Sequence, residues 1–262
     1  MTAESTIRLE KAGHVARLTI DNPARRNAMT LEMWGQMAEL LLSAGEDNDT
    51  RVIVLTGAGN RAFCAGADIS QFAAKRQADG VAAYDAAVAR AQSTLLIGSK
   101  PTVALINGAC HGGGVGLALC CDLRIATANA YFAIPAARLG LGYAFSNVEL
   151  VVHRLGVSAA ADLLFSARRI DAGEALRLGV VTKVLGEGDP TAEGEAYINT
   201  IAGNAPLTLR ALKAAFVEIA KPATDRDTER VAALVAACVT SRDYAEGQAA
   251  FAEKRQPEFK GV

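Results

Sequence analysis

Two short phrases, RVIVLTGAG at 51–59 and PTVALINGA at 101–109, constrain this chain more than any other feature. Each is a nearly unbroken apolar run of strand length that ends on glycine. A strand that is apolar on both faces must be covered on both, which is the pattern of a parallel sheet held between other layers. The recurrence of the phrase fifty residues later points to stacked structural turns of one design.

The rest of the chain is read around these two strands. Residues 5–20 alternate apolar and polar with period two and predict a β-hairpin turning at KAG. DNPARRNAM reads as a loop. Thr30 is placed to cap a helix carrying Met33, Trp34, Met37, Leu40 and Leu41 at helical spacing. FCAGADISQF is expected to be a glycine-broken turn entering a helix, and residues 81–97 a long helix. GGGVGLALCCD reads as a glycine-opened helix, and LRIATANAYFAIP as one strand passing into a loop. After residue 145 the pattern turns helical, apart from a short VVTKVL strand. No proline- or serine-rich linker and no run of like charge marks a flexible boundary.

Composition narrows the function classes. Hydrophobic residues make up 51% of the 262, enough to bury a substantial core. Lys and Arg (27) nearly balance Asp and Glu (28), so no global field attracts nucleic acid or anionic lipid. The five cysteines, Cys64, Cys110, Cys120, Cys121 and Cys238, form no CxxC pair and suggest reduced thiols in a cytoplasmic compartment. The first twenty residues lack a signal-peptide layout, and no run approaches the ~20 apolar residues of a membrane span. No metal cluster is expected.

Three glycine stretches carry the functional argument. GAGNRA after a strand fits a dinucleotide fingerprint, but FCAGAD interrupts the helix that should follow, so a tight turn is expected. HGGG resembles the oxyanion phrase of lipases, yet the chain has no G-x-S-x-G nucleophile elbow. The physical idea behind HGGG survives: consecutive glycines at a helix start let backbone N–H groups face a pocket, where the helix dipole adds positive potential. The competing explanation is close packing of strand against helix through Gly112, Gly113 and Gly114. FCAGADIS repeats the design and tips the balance, with free N–H groups expected at Ala67 and Asp68.

With these residues the chain resembles the crotonase, or enoyl-CoA hydratase and isomerase, superfamily. The matching stretches are NPARRNAMT (22–30), RAFCAGADIS (61–70), PTVALINGACHGGGVGLALCCDLRIA (101–126), APLTLRALK (205–213) and EGQAAFAEKRQPEFKG (246–261), in the family's order. The resemblance implies an α/β fold built as a spiral of repeated ββα turns over residues 1–200, with a helical C-terminal part, 201–262, that makes homotrimers or dimers of trimers. It implies an acyl-CoA thioester substrate, coenzyme A entering as part of that substrate, and no prosthetic group.

Carried over position by position, the family's two oxyanion donors fall on the N–H groups of Ala67 and Gly113. Segments matching its CoA contacts fall on Ala65, Asp68, Ile69 and Ser70, with Arg25, Arg26 and Arg61 resembling its phosphate and ribose contacts. Phe259 and Lys260 resemble the tail that approaches the adenine, sometimes from a neighbouring subunit. The two glutamates that hydratases of the family use for acid–base chemistry correspond here to Gly116 and Ala136. Tyr143 resembles a tyrosine of methylmalonyl-CoA decarboxylase relatives, whose histidine is replaced by Ala67. His111, next to the oxyanion segment, can titrate near neutrality, and Glu149 can reach in from the following helix. Asp68 is expected to serve its turn, Asp122 to pair with Arg124, and His14 and His153 to lie on the surface. The sequence therefore points to an acyl-CoA enzyme of hydratase or isomerase type without the hydratase carboxylates. A decarboxylase, a thioester hydrolase or a non-catalytic acyl-CoA binder is the alternative.

Overall fold

The computed structural model describes residues 5–68, 78–186 and 188–262. The hairpin forms as β1 (Thr6–Ala12) and β2 (Val15–Asp21), antiparallel around Gly13 at φ +56°. A single 3-10 turn follows at Pro23–Arg25. Two left-handed residues, Arg26 and Asn27, then reverse the chain. Buried Asn27 is held by three hydrogen bonds, accepting from Asn22 N and donating to Ala58 O and Ala62 O. Helix α1 (Leu31–Glu46) starts on Thr30, whose side chain accepts from Met33 N at 3.2 Å.

The two constraining phrases become β3 (Val52–Gly57) and β5 (Thr102–Ile106), adjacent and parallel with Val54 opposite Val103. Period-two geometry explains why they are apolar throughout. Ile53 and Leu55 enter one hydrophobic core, while Val52 and Val54 enter a second one on the opposite face, shared with Ile198. Each phrase then turns sharply at a glycine that nothing larger could replace. A β-carbon at Gly57 would lie 2.3 Å from Ala62 O, and one at Gly108 would lie 2.3 Å from Arg61 O.

After those turns the chain enters a second sheet. Strands β4 (Ala62–Cys64) and β6 (Ala109–His111) follow β3 and β5; β7 (Leu123–Ala126) is likewise followed by β8 (Tyr131–Ala133). The larger sheet has the order β1-β2-β3-β5-β7-β10 and the smaller one β4-β6-β8-β9, with β9 at Ile170–Asp171 and β10 at Lys183–Val184. Successive ββ units thus place one strand in each sheet, with α2 (Ala78–Ile97) and α3 (Gly113–Cys120) as two of the helices between them. Two sequence expectations change. FCAGAD opens with the end of a strand, the helix expected from Ile69 onward lies outside the described residues, and LRIATANAYFAIP splits into two strands of different sheets. The GAGNRA phrase leads into β4, which removes the βα unit a dinucleotide site needs.

Helix α4 (Phe145–Leu155) packs on α3 and on α5 (Val157–Ser166), and α6 (Ala172–Arg177) packs beside β8 and β9 of the small sheet. Four more follow: α7 (Pro190–Ala202), α8 (Pro206–Ile219), α9 (Thr228–Val239) and α10 (Arg242–Glu253). A buried ion pair ties α8 to the core, with Lys213 Nζ 2.7 Å from Asp122 Oδ1 and also donating to Leu95 O. Asp122 thus serves Lys213, not Arg124. Arg124 instead donates to the carbonyls of Val180 and Cys121, because it is buried where backbone acceptors are free and the Asp122 carboxylate is already engaged by Thr102. No described helix is long and apolar enough to cross a membrane.

Candidate active site

Strands β4 and β6 run parallel, with Cys64 beside Cys110, so the segments leaving their C-terminal ends emerge together. One is Ala65-Gly66-Ala67 and the other is Gly112-Gly113-Gly114. A β-carbon on Gly66, at φ +96°, would lie 3.0 Å from His111 O and 3.3 Å from Gly113 N. The two backbones therefore touch.

The hydrogen-bond pattern leaves amides over on both segments. Met29 and Ala67 form an isolated parallel bridge in which Met29 N donates to Gly66 O and Asp68 N donates to Met29 O. In such a bridge the central residue's own N–H points away from its partner strand. Among the described residues no acceptor meets Ala67 N–H. Gly113 N–H is the first orphan donor of α3, and it too meets no acceptor among them. Ala67 and Gly113 thus each offer a free donor, one from each segment, and Gly114 N–H, next on α3, also meets no acceptor among the described residues. Asp68, expected to offer one, has its N–H taken by Met29.

The three glycines of HGGG do three different things. Gly112 sits at φ +51°, ψ −117°, a conformation that disfavours any side chain. Gly114 is a close approach: a β-carbon there would lie 2.4 Å from Cys64 O and 2.9 Å from Cys64 Cβ. Gly113 is neither, since a β-carbon would make ordinary contacts of 3.7 Å to Gly66 Cα, 3.8 Å to Trp34 and 3.9 Å to Ala67 N. Close packing therefore accounts for Gly114 alone.

Around the two donors the structure gathers residues from α1, α2, α3 and α4. Trp34 Nε1 donates to Tyr84 Oη at 2.8 Å, and Tyr84's phenol is pushed up by burial. Tyr84 and Gln92, eight residues apart on α2, share one helix face. A β-carbon at Gly116 would meet Gln92 Nε2 at 3.2 Å, and that nitrogen donates to Asn147 Oδ1 at 3.3 Å. Sequence reading singled out neither amide, because each lies on a mixed polar helix face. Buried Ala136 lies in the 3-10 segment Pro135–Leu139, whose first residue is 3.9 Å from a β-carbon placed on Gly112. Half-buried Tyr143 packs against the core, and burial, with the Cys120 thiol adding to it, pushes its phenol up to about 12. Cys120 follows Gly116 by one turn of α3. Glu149 is exposed.

The other sequence candidates are more scattered. The His111 ring lies edge-on to Tyr131, centroids 5.1 Å apart, with the Arg169 guanidinium 3.4 Å from that ring's centre. This is the face of the small sheet opposite Cys110 and Phe132, because side chains alternate along β6 and β8. Burial, then Arg169 and Arg26, lower the His111 pKa, and its Nε2 is buried without a hydrogen-bond partner among the described residues. Arg25 and Arg26 are exposed beside the site, with Arg25 4.0 Å from Asp68 and Arg26 O accepting from Ala65 N. Ile69 and Ser70 lie outside the described residues. Phe259 and Lys260 are pinned elsewhere: Arg51 donates to Phe259 O at 2.6 Å, and Asp243 accepts from Lys260 N at 2.7 Å. Arg51 directly precedes β3, at the end of that strand opposite Gly57. No group of three or more metal-ligating side chains converges among the described residues.

Comparison with known proteins places this geometry. The enoyl-CoA hydratase/isomerase family profile matches residues 10–262. The short-chain-enoyl-CoA hydratase of Clostridium acetobutylicum is 32% identical over 250 residues, covering 95% of each chain. The carnitinyl-CoA dehydratase of Proteus mirabilis is 34% identical over 264 residues, covering 98% of each. Among solved structures, an enoyl-CoA hydratase/carnithine racemase from Magnetospirillum magneticum superposes with a TM-score of 0.91 at 33% identity, covering 99% of this chain and 97% of that one. With its two interleaved sheets, its stacked ββα units and this match along nearly its whole length, the chain belongs to the enoyl-CoA hydratase/isomerase family.

Proposed function

We propose that the protein binds an acyl-CoA thioester and stabilises its enolate between the N–H groups of Ala67 and Gly113. One observation carries this reading: two unpaired backbone donors lie side by side at the start of α3. Fixed donors of this kind favour an oxyanion over a neutral carbonyl, each contributing about 3–4 kcal/mol in a site closed to water. Coenzyme A then runs past Ala65 to Ser70, its phosphates near Arg25, Arg26 and Arg61. No separate prosthetic group is needed.

The proton chemistry differs from that of a two-glutamate hydratase. Gly116 and Ala136 hold no carboxylate, Glu149 is exposed, and the side chains beside Gly116 among the described residues are Gln92 and, bonded to it, Asn147. A phenol pushed up to about 12 stays protonated at neutral pH, where it donates a hydrogen bond and does not serve as a base. Tyr143 is the candidate proton donor. His111, neutral because its pKa is lowered, is a weaker one, because its ring lies on the other face of the small sheet. This lining favours enolate formation by decarboxylation, or thioester hydrolysis, as a second reading beside slow hydration.

The tail supports an oligomer. We place Phe259 and Lys260 near the adenine of CoA, in their own or a neighbouring protomer. Phe251 is 87% and Phe165 83% exposed, and Tyr244, Phe251 and Phe259 line an open groove of about 430 Å³. Large apolar patches of this kind are expected to be covered. We assign residues 1–200 to the spiral core and 201–262 to the part that assembles a homotrimer or dimer of trimers, in the cytoplasm.

Three assays on one preparation test the reading: loss of the conjugated absorbance of crotonyl-CoA, carbon dioxide release from methylmalonyl-CoA, and free thiol from acyl-CoA. Hydration slower than one of the other two is expected. Robust crotonyl-CoA hydration would overturn the argument from Gly116 and Ala136. Absence of any acyl-CoA binding would overturn the reading as a whole. Tight binding without turnover in all three assays would make the chain a binder.

A further inference from the structure

We infer that Lys100 is a site of self-acylation, where its amine takes up the acyl group of an acyl-CoA thioester as an amide, an inference that rests on the acyl-CoA reading above only for the donor. Lys100 lies between α2 and β5 and lines a hollow of about 160 Å³, where the C-terminal ends of α1 and α2 meet the first residues of β3 and β5. Buried Leu41, Ile53 and Leu95 and exposed Leu42 make its walls largely apolar. Sites for whole small molecules enclose about 300–1,000 Å³, so this one has room for a short chain only.

Lys100 stands apart from the other described lysines. Lys11, Lys183, Lys213 and Lys221 each have a carboxylate oxygen at 2.6–2.8 Å, and Lys254 and Lys260 are exposed. Half-buried Lys100 has no ion pair or side-chain hydrogen bond among the described residues. The acids nearest in sequence do not serve it: Asp47 is taken by Lys11, and Glu46, which lines the same hollow, forms no ion pair with it. Gly45 O, at the end of α1, accepts from Ser99 Oγ instead.

The charged neighbour that matters most is a cation. Arg210 stands on the face of α8 that carries Lys213, whose Nζ donates to Leu95 O in the wall of the hollow. Burial and then Arg210 hold the Lys100 pKa below its ordinary value, and Asp47, the smallest influence, opposes them. A lysine desolvated beside another cation is more often neutral, and so carries the lone pair a nucleophile needs. Exposed Arg210 itself has no ion pair among the described residues, and it offers a contact for the phosphates of CoA beside that amine.

The acyl transfer balances without a further reactant. The neutral nitrogen bonds the thioester carbonyl carbon, the C–S bond breaks, and sulfur leaves with the electron pair as the CoA thiolate. The proton shed by nitrogen passes to that thiolate. The product is a neutral amide whose chain enters the hollow, and the ammonium charge beside Arg210 is lost.

The test incubates the full-length protein with butyryl-CoA and follows acylation of each lysine by peptide mass spectrometry, with a protease that does not cut at lysine. Lys100 should acylate about tenfold faster than exposed Lys254. Arg210→Gln should slow Lys100 several-fold and leave Lys254 unchanged. Equal rates at Lys100 and Lys254, or a preference untouched by Arg210→Gln, would overturn the inference. Calorimetry of butyryl-CoA on the Lys100→Gln variant separates it from the acyl-CoA reading. Binding by that variant, beside an unreactive Lys100 in the wild type, would overturn the self-acylation alone; acylation of Lys100 in the wild type, beside no binding by the variant, would overturn the acyl-CoA site alone.

Discussion

Single alanine substitutions through Gly112-Gly113-Gly114 should separate folding from chemistry, because the structure assigns each glycine a different constraint. At Gly114 the new methyl would lie 2.4 Å from a backbone carbonyl oxygen and 2.9 Å from Cys64 Cβ, neither of which can rotate away. The start of α3 must then lift off β4, an overpacking cost of about 3 kcal/mol. For a chain of this size that corresponds to a fall in Tm of about 6–12 °C. At Gly112 the methyl meets nothing closer than 3.9 Å, but the backbone at φ +51°, ψ −117° costs about 1–3 kcal/mol for a residue with a β-carbon. At Gly113 neither penalty applies, and removing a glycine's unfolded-state freedom should stabilise by about 0.4–1 kcal/mol. Yet that methyl sits 3.9 Å from Ala67 N, beside the place where an oxygen must come within about 2.9 Å of both amides. Gly113→Ala should therefore hold or raise Tm and lower kcat/KM about a hundredfold, the scale of losing one oxyanion donor. Thermal denaturation and the most active of the three acyl-CoA assays, run on all three variants, check this. If Gly113→Ala melts as early as Gly114→Ala, the glycines serve packing. If it melts normally and keeps its activity within twofold, the two amides are not where the reaction occurs.

Three further expectations follow from particular contacts. Lys213→Met leaves Asp122 partly buried without its cation and should cost about 3–5 kcal/mol, whereas adding Asp122→Asn should recover most of it; urea denaturation of the single and double variants checks this. The His111 pKa is lowered in the folded state, so its contribution to stability is present above the unfolded value of 6.5 and is lost as pH falls through the lowered one. His111→Leu should flatten that acid-side decline, and an unchanged slope across pH 5 to 7 would refute it. Phe251→Asp places a charge on a large exposed apolar side chain and should shift the assembly toward monomer in sedimentation velocity; an unchanged mass would remove Phe251 from the proposed interface.

Local patterning explains how much of this molecule was readable in advance. Helix α1 announced itself through Thr30 and the spacing of Met33, Trp34 and Met37, since capping and periodicity act within one segment. The strands β3 and β5 were readable as doubly buried, and the glycine stretches pointed to donors at Ala67 and Asp68, with Gly113 entering only through the family resemblance. Strands β4, β6, β8 and β9 were not readable, because two or three residues carry no period and their pairing partners are distant in sequence. Gln92 likewise looked like an ordinary polar position of an amphipathic helix.

Residue identity alone settled which backbone could be bare and which side chains could not be carboxylates, since both are properties of single positions. Tertiary structure decided which bare amides remained unpaired, that Gly114 and not Gly113 is the packing glycine, that Lys213 claims Asp122, and that Gln92 fills the space over Gly116. Each of these depends on atoms brought within about 4 Å from segments tens of residues apart. Such encounters are set by how two sheets and their helices stack, and no local pattern encodes them.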